Sequence, residues 1–181
     1  GHMLASQTVE NYLKTIFLSQ VADSDALVPM GQIAAALGVV PGTATTMVKT
    51  LADSGLVEYE PYTGVALTAA GDKLAALVVR RHRLIELFLV QVLGFGWDEV
   101  HDEAEHLEHV VSERLIDRID EMLGRPEADP HGDPIPTADG AARPQKVQSL
   151  MTCPLDTPVR VTRIVDQDKV FLRFIESHGL K

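Results

Sequence analysis

Met30–Thr68 reads MGQIAAALGVVPGTATTMVKTLADSGLVEYEPYTGVALT, and its punctuation decides the fold. An Ala-rich apolar run, MGQIAAALGV, stops at Gly38, and Pro41 restarts the chain at a favoured first helical position. In the second run Val48 and Leu51 lie on one side and small or hydroxylated residues on the other, up to Gly55. VEYEPYTGVALT follows, with Pro61 and Gly64 bracketing a turn between two short β-favouring runs, which predicts a hairpin. Two short helices, a tight turn and a hairpin make a winged helix-turn-helix. Any small α/β domain can show the same elements, so spacing leaves both readings open.

Outward from this stretch, Val9, Leu13, Ile16 and Phe17 recur at helical spacing and predict a first helix over Thr8–Ser19. A long helix is predicted from near Thr68 to Gly94, tolerating Gly71. Its apolar residues exceed one stripe, so more than one face should be buried, against a second subunit among other partners. Trp97-Asp98-Glu99 opens a further helix running to Gly124, its early acids suited to the helix dipole. GRPEADPHGDPIPTADGAARP has no periodicity and reads as a linker. TPVRVTRIVDQDKVFLRFIESHGLK reads as a strand, a turn at Asp166-Gln167-Asp168 and a short helix.

The chain has 181 residues, 45% apolar and 23% charged, long enough for a real core. Gly1-His2-Met3 reads as an expression-tag remnant and is set aside. No apolar run approaches the roughly 18–20 residues that span a bilayer, and none reads as a secretory signal. The lone Cys153 permits no intrachain disulfide and points to the cytoplasm. A net charge of −10 argues against nucleic-acid binding but suits a cation site.

VHDEAEHLEHVVSERLIDRID, from Val100, carries three histidines among many carboxylates. On one continuous helix, His101, Glu105, Glu108 and His109 share an arc of roughly 100°, while Glu103 and His106 point elsewhere. The preceding helix adds His82 and Glu86 one turn apart. Imidazole and carboxylate without thiolate suit manganese, ferrous iron or zinc. A solvated charged face, with Arg114 and Arg118 pairing one turn away, is the bland alternative. Helical zinc-protease patterns are absent. Glu103-Ala104-Glu105-His106 satisfies Glu-x-x-His, but the second such motif of di-iron bundles is missing. Ser112 has no evident base. No enzyme is expected.

With ENYLKTIF in the first helix, GLVEYEPYTGVALTAAG in the wing, VRRHRLIELFL, WDEVHDEAEHLEHVVSERL and DPHGDPIP, the chain resembles the diphtheria-toxin-repressor family of metal-dependent transcription regulators. It is closer to the manganese-responsive branch. The resemblance implies a mainly α fold: a winged helix-turn-helix DNA-binding domain (4–70), a helical dimerisation and metal-binding domain (71–140), and a linker with the start of an SH3-like domain (141–181), cut short at Lys181. It implies a regulatory metal held by Asn11, Glu105, Glu108 and His109, and an ancillary one by His82, Glu86 and His101. Where iron-responsive members carry a cysteine this chain has Glu105, whose harder oxygen favours Mn2+. Fe2+ is the alternative, with Zn2+ and other divalent metals as substitutes in vitro. Asn11 departs from the family's aspartate or methionine and offers only a neutral oxygen, and Lys14 stands where some members place a second glutamate. The implied partners are double-stranded, palindromic operator DNA and a second copy of the chain, with no membrane. Thr43, Thr45, Thr46, Lys49 and the wing residue Tyr62 are the expected DNA contacts. In this reading metal clips the first helix, through Asn11, to the later ligands, and the regulated output is repression of metal uptake. The competing reading is a metalloprotein that does not bind DNA, or a carboxylate–histidine metalloenzyme on a helical bundle.

Overall fold

The computed structural model describes residues 6–22, 27–142 and 147–179. Its described helices are α1 (Gln7–Ala22), α2 (Met30–Leu37), α3 (Pro41–Asp53), α4 (Ala69–Gln91), α5 (Val100–Leu107), α6 (Glu113–Met122) and α7 (Lys169–Ser177), with one hairpin, β1 (Val57–Glu60) and β2 (Gly64–Leu67). The chain divides into two compact units, the first running to Val79 and taking back Ala138–Ala141, the second made of the rest from Arg80.

In the first unit Gly38 closes α2 in the left-handed region (φ 66°), its N–H reaching the carbonyls of Ala34 and Ala35. Val40 is extended and Pro41 starts α3, so the two helix axes bend by 107°, within the range of helix-turn-helix pairs. The fully buried Leu13, Ile16, Ile33, Ala44, Val48 and Val65 form the centre of the core. The hairpin is antiparallel, with Val57 opposite Leu67 and Glu60 opposite Gly64. Val28 adds a single bridge to Val65, with N–H to carbonyl distances of 2.8 and 3.0 Å. A Cβ on Gly64 would lie 2.5 Å from the Val28 carbonyl oxygen, so this approach demands glycine. Gly71 is required in the same way, since a Cβ there would lie 1.9 Å from the Leu56 carbonyl oxygen. The glycine in the first turn of α4 marks where the chain leading into β1 passes against the helix.

In the second unit, the C-terminal half of α4 packs Leu84, Ile85, Leu87 and Leu89 with Val100, Ala104, Ile116 and Ile135. Arg80 holds α6 and the following loop through Asp120 (2.9 Å) and the Pro136 carbonyl (3.1 Å). The single helix expected over Trp97–Gly124 is two. Helix α5 ends with Glu108 as its C-terminal cap, and Ser112 caps a new helix by accepting the Leu115 N–H. The consecutive β-branched Val110 and Val111 favour the break, and a serine cap with Glu113 behind it restarts the helix. The strand expected after Thr157 is absent: residues 157–168 carry no regular structure, and no strand lies beside them among the described residues. Asp168 caps α7 by accepting the Val170 and Phe171 N–H groups. Leu172 and Ile175 pack with Trp97, and Arg173 reaches Asp98 at 2.6 Å.

Candidate metal centre

On α4 the apolar Leu84, Ile85 and Leu87 take one side of the helix, and His82 and Glu86, one turn apart, lie on the other side, which is buried as well. His82 is enclosed by carboxylates at both nitrogens. Its Nε2 is 2.5 Å from Glu86 Oε1 and its Nδ1 is 2.5 Å from Glu108 Oε2. Glu108 is fully buried because the end of α5 folds it inward as the cap residue. Two buried carboxylates on one imidazole demand a positive charge between them. Burial opposes charge on His82, but hydrogen bonds and attraction from Glu108 and Glu86 push its pKa up to about 9. Burial works against ionised Glu86 too, yet contacts from His101, His131 and His82 hold its carboxyl well below the usual carboxylate range. A proton on His82 supplies that positive charge.

Around this pair, His101 Nδ1 lies 3.4 Å from Glu86 Oε1 and its Nε2 lies 3.5 Å from Glu105 Oε1. His109 Nε2 lies 3.2 Å from Glu108 Oε1. One donor atom from each of His82, Glu86 and His101 falls within 4.8 Å of the others, and the same holds for His82, Glu105 and Glu108. His82 therefore stands between the two ligand sets that the sequence reading keeps separate. Glu103 and His106 are exposed. The break after Leu107 means that Glu108 and His109 reach the cluster from a cap and a turn rather than along one helical face. Asn11 belongs to α1 in the first unit, where its Oδ1 is buried without a hydrogen-bond partner.

A third grouping was missed from the sequence: Glu86, Asp129 and His131 also bring donor atoms within 4.8 Å of one another. Asp129, His131 and Asp133 are all buried, in a stretch whose Pro, Gly and Asp content reads as linker. An Ala128–Pro134 bridge closes the loop, and Asp129 Oδ1 accepts the N–H groups of His131 and Asp133, each at 2.9 Å. Histidine between two aspartates, in DPHGD, was the available signal.

In the first unit Thr43, Thr46, Lys49 and Tyr62 are exposed and Thr45 is half-buried. Thr45 Oγ1 donates to the Pro41 carbonyl and Thr46 Oγ1 to that of Gly42, each at 3.0 Å. With their protons committed to α3, both hydroxyls are left to act as acceptors through their oxygen lone pairs. Tyr62 sits in the turn between β1 and β2 at φ 64°, its side chain fully exposed.

Comparison with known proteins places these features in context. Residues 3–65 match the family model of the iron dependent repressor N-terminal DNA binding domain, and residues 68–137 match that of the iron dependent repressor metal binding and dimerisation domain. The iron-dependent repressor IdeR of Mycobacterium leprae is 34% identical over 162 residues, covering 85% of this chain and 69% of that protein. The HTH-type transcriptional regulator MntR of Lysinibacillus sphaericus is 32% identical over 127 residues, covering 70% of this chain and 89% of its own. Among solved structures, a manganese-dependent transcriptional repressor in complex with manganese superposes with a TM-score of 0.86 at 45% identity, covering 96% of this chain and 79% of the other.

Proposed function

Since the chain belongs to the diphtheria-toxin-repressor (iron-dependent repressor) family of metal-dependent transcriptional repressors, we propose that it is a manganese-responsive member that binds palindromic operator DNA as a homodimer. Its domains in this reading are the winged helix-turn-helix at 4–70, a dimerisation and metal-binding domain at 71–140, and a C-terminal remainder at 141–181. It works in the cytoplasm; no described helix is long and apolar enough to cross a membrane. The carrying observation is the buried His82 imidazole held between the Glu86 and Glu108 carboxylates. Its surroundings supply nitrogen and oxygen donors with no thiolate, which favours Mn2+ and accepts Fe2+.

Glu105, Glu108 and His109 are the proposed regulatory ligands, with the orphaned amide oxygen of Asn11 as the fourth. His82, Glu86 and His101 are the proposed ancillary ligands. A divalent cation supplies the positive charge that a proton on His82 supplies in its absence. Glu108 and Glu86 orient the imidazole, and burial keeps water from competing for it. Operator affinity in the metal-free state is lowered by the fraction of molecules in the binding-competent arrangement. Thr43, Thr45, Thr46 and Lys49 of α3 are proposed to enter the major groove, with Tyr62 at the flanking backbone.

The test is a fluorescence-anisotropy titration onto DNA bearing an inverted repeat, at fixed salt, with and without manganese. Metal-dependent, sequence-selective binding at two chains per site is expected. Manganese binding without any DNA affinity would move the assignment to a metalloprotein that does not act on DNA.

A further inference from the structure

His101 is held least by packing among the three proposed ancillary ligands. The side chains of His82 and Glu86 are 10% and 2% exposed, whereas that of His101 is 51% exposed. Of α5, Val100 and Ala104 are buried, and the N-cap residue Glu99 makes no side-chain capping hydrogen bond. A helix of eight residues with so little cover is marginal by itself. Even so, His101 Nδ1 stands 3.4 Å from Glu86 Oε1, and its ring meets that of His82 edge to face at 4.9 Å.

What braces this turn is α7. Asp98 and Asp102 stand four residues apart on either side of His101, and Lys169 and Arg173 stand four apart on α7. The two pairs match in antiparallel order. Arg173 Nε donates to Asp98 Oδ2 and Lys169 Nζ donates to Asp102 Oδ2, each at 2.6 Å. Leu172 and Ile175, from the same helix, pack on Trp97 together with Ile164 and Val90. The chain leading into α7 is itself secured: the Ile164 N–H reaches the His131 carbonyl and Gln167 Nε2 reaches Asp133 Oδ2, each at 2.7 Å.

We propose that Lys169 and Arg173 are positioning residues for His101: with α7 docked, the first turn of α5 is held where His101 completes the site with His82 and Glu86. The proposal rests on reading those three residues as metal ligands. An exposed ion pair contributes little alone. Here two of them flank one ligand, beside an apolar anchor at Trp97, and the Asp98 side chain is only 13% exposed. Their joint effect is to fix the backbone from Asp98 to Asp102, and with it the side chain that core packing leaves loose.

Positioning and plain electrostatics predict opposite signs. Lys169 and Arg173 carry positive charge close to a cation site, so their charges alone oppose a divalent ion, and removing them should tighten its binding. If they act by holding the backbone around His101, removing them weakens binding instead. The direction of the change therefore separates the two.

The experiment uses the full chain, stripped of metal and titrated with buffered free manganese, with binding followed by electron paramagnetic resonance. His101→Ala identifies the site in question as the one it loses. In the double variant Lys169→Gln/Arg173→Gln that site should weaken roughly tenfold, the low end of what loss of an outer partner costs a metal ligand. Amide exchange across α5 should also quicken in the metal-free double variant. Lys169→Arg should keep wild-type affinity, and Asp98→Arg with Arg173→Asp should recover what Arg173→Asp alone loses. Unchanged or tighter manganese binding in the double variant overturns the proposal, as does a charge swap no better than Arg173→Asp alone. A His101→Ala protein that takes up manganese like the wild type overturns instead the reading of His101 as a ligand, and the proposal with it.

Discussion

Replacing Glu108 with glutamine tests the metal centre with almost no change of shape. The side chain is fully buried, with Oε2 2.5 Å from His82 Nδ1 and Oε1 3.2 Å from His109 Nε2. The amide removes the charge and offers one weak oxygen in place of two. Losing even an outer partner of a metal ligand lowers affinity by about 10–100-fold, so a direct ligand should lose at least the upper figure. At manganese a hundred times its Kd, binding stabilises the wild type by about 2.7 kcal/mol. A hundredfold weaker site at the same concentration retains about 0.4 kcal/mol. The difference of about 2.3 kcal/mol corresponds to a manganese-induced rise in Tm smaller by roughly 5–9 °C. Scanning calorimetry with and without manganese measures it, and operator anisotropy should lose its metal dependence in parallel. His106→Ala is the control, since His106 is exposed on the same helix and should keep the full wild-type shift. A Glu108→Gln protein with wild-type metal stabilisation and wild-type operator binding would refute the reasoning.

Other outcomes follow from the same geometry. The metal-free pKa of His82, about 9 against 6.5 for the ordinary group, means that its contribution to stability is fully present below pH 6.5 and disappears as pH rises through 9. Manganese must displace that proton, so calorimetric titrations near pH 7.5 in two buffers of different ionisation enthalpy should show about one proton released per His82 site; none released would remove His82 from the ligand set. Gly71→Ala should destabilise the first unit by about 1–3 kcal/mol, since the new Cβ meets the Leu56 backbone rather than a movable side chain. A wild-type denaturation midpoint would show that the β1–α4 junction is looser than drawn. Lys49→Ala should flatten the salt dependence of operator binding by about two units of slope in a dimer, one per copy. An unchanged slope would place Lys49 away from phosphate.

The winged unit was readable because its decisive residues act locally. Gly38, Pro41, Pro61 and Gly64 set backbone conformations within a few residues, and the structure places a helix end, a helix start and a hairpin turn there. The metal region was readable only in part, because its ligands depend on where the chain turns back. Face arithmetic on one continuous helix groups His101, Glu105, Glu108 and His109, whereas the helix ends at Leu107, Ser112 starts a new one, and Glu108 reaches His82 as a cap residue. His131 escaped notice for a related reason. Proline and glycine mark irregular backbone without saying whether it is buried, and it is the Asp129 side chain that folds this loop onto itself. The expected strand after Thr157 failed because β propensity describes a residue's fit to a sheet, and no strand lies beside it among the described residues.

The net charge of −10 bears on how such a molecule can hold DNA at all. Up to Val79 the only cationic side chains are Lys14, Lys49 and Lys73, against seven acids: Glu10, Asp23, Asp25, Asp53, Glu58, Glu60 and Asp72. Lys14 is buried, so each copy offers two exposed lysines from this stretch. The proposed dimer would then neutralise about four phosphates from it, with a salt slope from these contacts no steeper than about −4. Non-specific attraction of that size is weak, so little affinity is gained from backbone charge alone. The surplus has to come from contacts made by α3 and the wing at two half-sites together, which reward only the correctly arranged pair. An acidic winged helix is therefore suited to metal control. Where electrostatic attraction is strong, a protein stays on DNA whether or not its halves are well placed. Where it is weak, placement decides, and in the proposed mechanism the buried Glu86 and Glu108 carboxylates would give a cation leverage over the outcome.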